Sequence, residues 1–374
     1  MGNIIVAIDS FKGSLSSLEA CRIVGRVLSK AGEKIITVPI ADGGEGTAEA
    51  FYTALGGKWH YHTVSGPNGQ PVKAGIVILP DGTGVIEMAQ ASGITKAAEL
   101  NPWNTSTFGT GELMLAAMNY GCKRIIMGIG GSATNDGGVG MAAALGAKFY
   151  NSVGKEILPT GGGLSELARM DLKSLDPRLA NTEIIIACDV VNPFYGPEGA
   201  SMIYGPQKGA DLDMAALLDK NLKHLAELIH EETGIELQKL PGSGAAGGLG
   251  GGLVAFAGGR LQSGIELLLE VVNFEQMLQT AELVITGEGS FDNQSLYGKV
   301  VEGVSKMAKR AGVPVVVLSG AVLVDTETYQ KAGITAAFSI NTRPLALEEA
   351  KKNAAANLEQ VAAGLASLWR LKRK

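Results

Sequence analysis

The sequence has few histidines, few cysteines and no long apolar run. None of its four histidines lies in a glycine-rich segment, which disfavours histidine-based acid–base or nucleophilic catalysis. The three cysteines are scattered and odd in number, so we expect no disulfide framework and a reducing compartment. No window approaches the roughly 18 consecutive apolar residues that a membrane-spanning helix needs.

Signals for export and for nucleic acid binding are also missing. The N-terminus enters a strand pattern directly, without a basic flank or an apolar signal core. The formal net charge is −5, and the basic cluster at residues 370–374 fits a solvated helix end. We therefore expect a cytoplasmic protein that binds neither nucleic acid nor membranes.

Glycine, in contrast, is abundant. The 374 residues include 52 glycines, roughly twice the usual share, and these cluster in loops. The central cluster, residues 130–138, follows an apolar strand at residues 124–129, and a helical pattern resumes at Val139. A loop between a strand and a helix N-terminus presents backbone N–H groups that suit a phosphate. A tight turn packed against a neighbouring segment is the alternative interpretation.

Strand and helix patterns alternate at both ends of the chain. Apolar strands at residues 3–8 and 34–40 flank a helix that begins with a capping-box sequence, Ser16 to Glu19. The alternation returns at residue 282 and continues to a terminal helix. Strands that are apolar throughout predict a parallel sheet covered by helices. Hairpin turn signals between residues 58 and 93 instead predict a more antiparallel unit.

We therefore predict an α/β fold, a doubly wound, Rossmann-like parallel-sheet domain into which a second, mixed α/β domain is inserted. The first domain comprises residues 1–57, 105–147 and 282–374, and the second comprises residues 58–104 and 148–281. Residues 105–147 could belong to either domain, but their βα character favours the first.

Carboxylates follow the predicted strands within a few residues, at Asp9, Asp42, Asp136, Asp189 and Glu288. The carboxyl ends of parallel strands share one edge of an open sheet, and ligands bind in the crevice outside that edge. Converging acids repel one another unless a cation or a network of substrate contacts holds them, and this geometry suggests Mg²⁺ together with phosphate oxygens. One carboxylate could also accept the proton of a substrate hydroxyl. For each acid alone, capping of the following helix is an equal alternative.

Lysines and a second glycine cluster add candidate phosphate contacts. Lys12, Lys208 and Lys299 lie in or beside glycine-bearing loops. The glycine-dense residues 241–252 could approach a nucleotide closely or could form a tight helix crossing. No Walker A sequence occurs, because Val300 follows Lys299 where that motif has Ser or Thr.

Four motifs together resemble the glycerate kinase family of the bacterial type. They are DSFKG from Asp9, ADGGEGT from Ala41, GGSATNDGG from Gly130 and TGEGSFD from Thr286. The resemblance covers essentially the whole chain in the same order. It implies ATP-dependent phosphorylation of D-glycerate, dependence on Mg²⁺, and a two-domain α/β fold with the active site in the cleft between the domains. It suggests 2-phosphoglycerate as the product, and glycerate 3-kinase activity is the alternative.

Strand-end placement and the resemblance together suggest roles for individual residues. The predicted catalytic residues are Asp189, Asp136, Lys12 and Asp292. The predicted substrate-binding residues are Asp9, Ser10, Ser132, Asn135 and Glu288. The predicted cofactor-binding residues are Gly43, Gly44, Gly244, Gly247, Gly248 and Lys208. The predicted Mg²⁺ ligands are Asp42, Asp136 and Asp189.

Two other functions fit parts of the sequence. Residues 128–133 match the G-x-G-x-x-A pattern of NAD-dependent dehydrogenases, but the next candidate strand, residues 147–150, is followed by Asn151 and not by an acid. A non-catalytic sugar-acid or nucleotide sensor would bind ligand without needing converging carboxylates. For the kinase we expect D-glycerate and ATP as small-molecule partners, and either a monomer or a homodimer.

Overall fold

The computed structural model describes residues 2–40, 46–296 and 300–371. The strands are β1 Asn3–Ile8, β2 Lys34–Thr37, β3 Lys58–Ser65, β4 Pro71–Ile78, β5 Gly84–Glu87, β6 Arg124–Gly128, β7 Lys148–Tyr150, β8 Arg169–Asp171, β9 Glu183–Ala187, β10 Arg260–Gln262, β11 Ala281–Glu288, β12 Val315–Ser319 and β13 Ala336–Ser339. The α-helices are α1 Ser17–Lys30, α2 Thr47–Leu55, α3 Ala89–Ser92, α4 Phe108–Asn119, α5 Val139–Ala144, α6 Ala200–Tyr204, α7 Leu212–Thr233, α8 Leu249–Ala257, α9 Gly264–Val271, α10 Phe274–Leu278, α11 Val300–Arg310, α12 Thr326–Lys331 and α13 Leu347–Leu371. Short 3₁₀ helices span Ile94–Lys96, Gly163–Glu166, Pro177–Asn181, Pro206–Lys208, Leu237–Lys239 and Asn293–Leu296.

The internal contacts divide the chain into two compact units. Unit 1 comprises Met1–Asp42, Glu49–Leu55 and Ile265–Lys374, and unit 2 comprises Gly43–Ala48 and Gly56–Gly264. Unit 1 is therefore built from both ends of the chain, and most of unit 2 is one long internal segment.

Unit 1 contains a five-stranded parallel sheet with the strand order β13-β12-β11-β1-β2. The chain winds outward from β1 to β2 on one side, and from β11 through β12 to β13 on the other. This order is doubly wound, as the alternating pattern predicted. Side chains Ile4 to Ile8 of β1 are fully buried, and burial of each large apolar side chain contributes about 1.5–3 kcal/mol to folding.

The predicted capping box at the start of α1 is confirmed. The Ser16 hydroxyl accepts a hydrogen bond from the Glu19 amide at 3.2 Å, and the Glu19 carboxylate accepts one from the Ser16 amide at 2.9 Å. These bonds satisfy N–H groups that the first helical turn would otherwise leave unpaired.

Unit 2 contains a six-stranded mixed sheet with the strand order β10-β9-β6-β5-β4-β3. Strands β10, β9, β6 and β5 are mutually parallel, whereas β4 and β3 run antiparallel and form a hairpin. The hairpin confirms the antiparallel segment that the turn signals predicted, with Gly69 in its turn at φ +83°. Strands β7 and β8 form a separate two-stranded sheet.

Residues 105–147 lie in unit 2 and not with the chain ends. Strand β6 pairs with β5 on one side and with β9 on the other, so it is an interior strand of the second sheet. This placement differs from the predicted one, because a βα pattern does not reveal which of two sheets a strand joins. Residues 265–281, which the sequence assigned to the inserted domain, belong to unit 1 in the structure.

Helix α7 shows how the core of unit 2 is built. Its buried residues Leu218, Leu222, Leu225 and Ile229 recur at three- and four-residue intervals and form one apolar stripe. Asp211 begins the helix by accepting a hydrogen bond from the Met214 amide at 2.8 Å. Of the helices in the described parts of the chain, none is both long and apolar enough to cross a membrane.

Candidate active site

The sheet of unit 1 has its switch point between β1 and β11. At that point the two connections leave in opposite directions, which opens a crevice at the carboxyl ends of the strands. Strand β1 ends at Ile8, opposite Gly287 of β11, and the next amide, that of Asp9, donates to the Gly287 carbonyl at 2.9 Å. The switch point therefore brings together the loops that follow these two strands.

Four predicted site residues lie in these two loops. Asp9 and Glu288 are half-buried, whereas Ser10 and Lys12 are exposed. A Cβ atom placed on Gly289 would lie 3.3 Å from the backbone nitrogen of Lys12, so the loops touch. The structure thus gathers two carboxylates and one ammonium group at the edge where a ligand of a doubly wound sheet binds.

Asp292, a predicted catalytic residue, caps a short helix in unit 1. Its Oδ1 accepts hydrogen bonds from the amides of Gln294 at 2.8 Å and Ser295 at 3.3 Å, in the 3₁₀ helix Asn293–Leu296. Asp292 therefore acts as a helix cap in this structure, a role that the sequence analysis did not consider for it.

The second strand-end edge lies in unit 2. Residues Glu87, Gly128, Ala187 and Gln262 are successive neighbours across β5, β6, β9 and β10. Asp189 follows this edge, and its Oδ1 accepts hydrogen bonds from the Ser263 hydroxyl at 2.7 Å and the Gly264 amide at 3.0 Å. Asp189 is thus at the predicted edge, with one oxygen engaged by the backbone and side chain after β10.

Glu87 is a carboxylate at this edge that the sequence analysis missed. It is 3% exposed, and its Oε1 accepts a hydrogen bond from the Ala48 amide at 2.7 Å. The available signal was an acid directly after the apolar residues Val85 and Ile86. The surrounding hairpin turn signals concealed the parallel strand to which these residues belong.

The glycine-rich loop after β6 is largely buried. Ser132 is 6% exposed and accepts a hydrogen bond from Lys208 Nζ at 2.8 Å, while the Thr134 carbonyl accepts another from Nζ at 2.7 Å. Asn135 is fully buried, and its Nδ2 donates to the Ser201 hydroxyl at 2.8 Å. Ser132, predicted to bind substrate, and Lys208, predicted to bind the cofactor, are therefore hydrogen-bonded to each other.

Asp136 stabilises the loop and the start of α5. The side chain is fully buried; Oδ2 accepts from the Thr107 amide and hydroxyl and from the Gly140 amide, and Oδ1 accepts from the Gly138 amide. Burial raises the pKa of this carboxyl, although the bonds from Thr107, Gly138 and Gly140 act in the opposite direction. A carboxylate that is buried and accepts four hydrogen bonds fits a structural role, and this structure does not support Asp136 as a metal ligand or proton acceptor.

The second glycine cluster packs against protein. A Cβ atom at Gly247 would lie 2.0 Å from the Thr134 carbonyl oxygen, and one at Gly244 would lie 2.0 Å from the Pro193 carbonyl oxygen. At Gly248 it would meet Gly137 and Phe194 at 2.9 Å. All three glycines are buried, so the tight-crossing interpretation, and not nucleotide contact, describes them here.

Two of the three predicted Mg²⁺ ligands, Asp136 and Asp189, lie within the described residues. Asp42, Gly43 and Gly44 lie outside the described residues. Among the described residues, no three His, Cys, Asp or Glu side chains form a group that could hold a metal ion. Asp136 does not fit as a ligand, because its two oxygens already accept hydrogen bonds from protein groups. Of the three predicted ligands, Asp189 is therefore the one described residue that still fits this role.

The dinucleotide-binding interpretation fails on topology. Its fingerprint requires an acid at the end of the next parallel strand, where it contacts a ribose. The next strand after β6 in the described chain is β7, which runs antiparallel to β8 in a separate two-stranded sheet. The next strand that is parallel to β6 is β9, and it ends at Ala187, well beyond the spacing of about 20 residues that the fingerprint has. Loop residues 130–136 therefore follow a different pattern from the NAD-binding one.

The parallel sheet, its switch point and the strand-end acids define an α/β enzyme. Comparison with known proteins gives the same result in finer detail. Residues 4–370 match the model of the glycerate kinase family. The chain is 45% identical over 373 residues to a glycerate kinase of Bacillus subtilis (strain 168), with 98% of each chain covered. It is 44% identical over 369 residues to a glycerate 2-kinase of Escherichia coli (strain K12), with 97% of each covered.

A solved structure described as a glycerate kinase 2 from Salmonella typhimurium LT2 matches with a TM-score of 0.88 and 41% identity, covering 100% of this chain and 99% of that one. The chain belongs to the glycerate kinase family. This membership confirms the resemblance, the kinase class and the α/β fold that the sequence predicted.

Proposed function

We propose that the protein transfers a phosphoryl group from ATP to the 2-hydroxyl of D-glycerate and releases ADP and 2-phosphoglycerate. The observation that carries this proposal is the similarity, over 97% of both chains, to a protein named glycerate 2-kinase. Glycerate 3-kinase activity is the second candidate, since other relatives are named glycerate kinase without a position.

The strand-end residues of unit 1 support the kinase assignment. Asp9 and Glu288 at the switch point could orient or deprotonate a hydroxyl, and the exposed Lys12 ammonium could pair with the substrate carboxylate or a phosphate. Phosphoryl transfer asks the protein mainly for positioning and charge stabilisation. Two acids and one cation at a single sheet edge fit that requirement.

We also propose that ATP acts together with Mg²⁺. This ion takes most of its ligands from phosphate oxygens and water, and it needs only one or two protein carboxylates. Among the described residues Asp189 is the proposed carboxylate, whereas Asp136 is not proposed because its oxygens already accept hydrogen bonds. Asp42 stays a prediction from the sequence. The cytoplasmic location and the monomeric or homodimeric state stay predictions from the sequence.

An assay for ADP release with D-glycerate tests the proposed activity. It would be run with and without Mg²⁺, and with NAD in place of ATP as a check on the dehydrogenase alternative. We expect ADP formation that requires both D-glycerate and Mg²⁺. Binding of ATP without ADP formation would support a sensor, and reduction of NAD would support a dehydrogenase.

NMR spectroscopy of the product decides between the two hydroxyl groups. Coupling between phosphorus and the proton on C2 identifies 2-phosphoglycerate, whereas coupling to the C3 protons identifies the 3-phosphate. We expect the first pattern. The second would retain the kinase assignment and replace the 2-kinase by a 3-kinase.

A further inference from the structure

Lys208 is a buried lysine with specific partners. It ends the 3₁₀ helix Pro206–Lys208, it is 1% exposed, and it ranks among the largest fully buried side chains. Its Nζ donates to the Ser132 hydroxyl at 2.8 Å and to the Thr134 carbonyl at 2.7 Å. Both acceptors belong to the strand-end loop that follows β6, so one amine holds two points of that loop.

Burial of this amine is costly, and its cost implies a purpose beyond packing. Lysine is almost never fully buried unless its ammonium group is paired, because desolvation penalises the charge. The loop is already held by backbone pairing, with the Ile94 amide donating to the Gly131 carbonyl at 2.9 Å and the Ala133 amide to the Ser92 carbonyl at 2.9 Å. Those bonds fix the backbone on both sides of Ser132, whereas Lys208 contacts its hydroxyl.

The number of hydrogen-bond acceptors near Nζ matches the number of N–H groups on a neutral amine. A neutral amine has two N–H groups and an ammonium group has three. Nζ has two acceptors, the Ser132 hydroxyl and the Thr134 carbonyl, and no third acceptor occurs among the residues that the structure describes. Burial also lowers the pKa of Lys208 to about 7, although the negative charge of Asp136 opposes this shift.

We propose that Lys208 is a positioning residue that sets the Ser132 hydroxyl for D-glycerate, without itself contacting a ligand. This inference deepens the proposed function and rests on it, because Ser132 is a predicted substrate-binding residue. It replaces the predicted role of Lys208 in cofactor binding, since an amine that is 1% exposed is not available to ATP in this structure.

The test compares Lys208→Met, Ser132→Ala and the double variant in steady-state kinetics. Lys208→Met keeps an unbranched side chain that is one atom shorter, and it removes the N–H donors of Nζ. We expect each single variant to raise KM for D-glycerate about 10-fold, and KM for ATP less than about twofold. The double variant should be no worse than either single variant, because residues that act through one contact are non-additive.

Lys309→Met is the matched control. Lys309 Nζ also donates to a backbone carbonyl, that of Lys331 at 2.8 Å, but it is exposed and lies in unit 1. We expect wild-type kinetics from this variant. If Lys208→Met lowered stability and left KM for D-glycerate unchanged, Lys208 would be merely structural and the proposal would be overturned.

Amide hydrogen exchange of the peptide covering residues 129–136 gives a readout that needs no activity. Faster exchange in Lys208→Met than in wild type supports positioning of the loop, and unchanged exchange contradicts it. Should Lys208→Met not fold, Lys208→Gln, which retains one amide donor group, takes its place. A wild-type enzyme that forms no ADP with D-glycerate overturns the proposed function, whereas the exchange result still decides whether Lys208 holds the loop.

Discussion

Asp136 Oδ2 accepts hydrogen bonds from both the backbone amide and the hydroxyl of Thr107, at 2.7 and 2.8 Å. The same hydroxyl accepts a hydrogen bond from the Met141 amide at 2.8 Å. The pair therefore links the segment before α4 to the first turn of α5, and it does so with a carboxylate that has no exposed surface. A residue of the glycine-rich motif thus acts as a structural link.

Asp136→Asn should destabilise the protein strongly. An amide NH₂ would replace one oxygen that accepts hydrogen bonds and would face donors. We expect the free energy of unfolding to fall by about 2–4 kcal/mol, as for a buried hydrogen-bond network that loses an acceptor. Urea denaturation followed by circular dichroism measures the loss.

Asp211→Asn serves as the control for Asp136→Asn. Asp211 is an exposed helix cap, and asparagine caps helices about as well as aspartate, so we expect almost no change in stability. An Asp136→Asn protein as stable as wild type but inactive would restore the predicted catalytic role of Asp136.

Gly247→Ala should disrupt the contact between the two glycine-rich segments. The new Cβ atom would lie 2.0 Å from the Thr134 carbonyl oxygen, and the backbone has φ +69°. We expect the melting temperature to fall and the free energy of unfolding to decrease by more than about 3 kcal/mol.

Gly234→Ala separates backbone strain from steric clash. Gly234 has a similar φ of +76°, but no atom lies within 4 Å of a Cβ placed there. Its substitution should cost only about 1 kcal/mol. Equal losses for the two variants would mean that positive φ, and not close packing, explains the need for glycine at position 247.

The pKa of Lys208 predicts a specific dependence of stability on pH. The pKa falls from 10.5 to about 7 in the folded protein, so between these values the unfolded chain binds more protons at this site. Stability contributed by Lys208 should therefore rise with pH across that window, by up to about 1.4 kcal/mol per pH unit. Below about pH 7 both states are protonated and the site adds no further pH dependence.

Urea denaturation of wild type and Lys208→Met from pH 6 to 10 checks this dependence. The difference in the free energy of unfolding between the two proteins should change with pH in the stated direction. In Lys309→Met, which retains Lys208, the rise should be the same as in wild type. A difference between wild type and Lys208→Met that is constant with pH would rule out the lowered pKa.

Asp9→Asn should lower activity, whereas Asp292→Asn should leave it nearly unchanged. Asp9 is at the switch point, so its change should lower kcat/KM about 100-fold with little loss of stability. Asp292 caps a 3₁₀ helix through the Gln294 and Ser295 amides, and asparagine can cap in its place, so activity and stability should stay near wild type.

Asp292→Ala completes this comparison. It removes the cap, and we expect a loss of about 1 kcal/mol in stability with kcat unchanged. Steady-state kinetics and thermal unfolding of all three variants provide the measurements. Loss of turnover in Asp292→Asn at unchanged stability would show that this carboxylate takes part in catalysis.

Local patterns made much of the fold predictable. The capping box at Ser16 and Glu19 depends on residues three apart, and the β3–β4 hairpin depends on the turn between neighbouring strands. The strand ends at Asp9, Asp189 and Glu288 were predictable for the same reason, since an apolar run followed by an acid is visible in one dimension. Glu87 shows the limit, because the same signal was hidden among hairpin turns.

The sequence by itself determined the family, the α/β class and the positions of most strand ends, because these depend on motifs and on hydrophobic runs of a few residues. Only the tertiary structure decided that β6 joins the second sheet and that Lys208 and Asp136 are buried. Lys208 lies 76 residues from Ser132, and Asp136 lies 29 residues from Thr107. The loss of water around a charged side chain depends on such distant neighbours, and no local pattern specifies them.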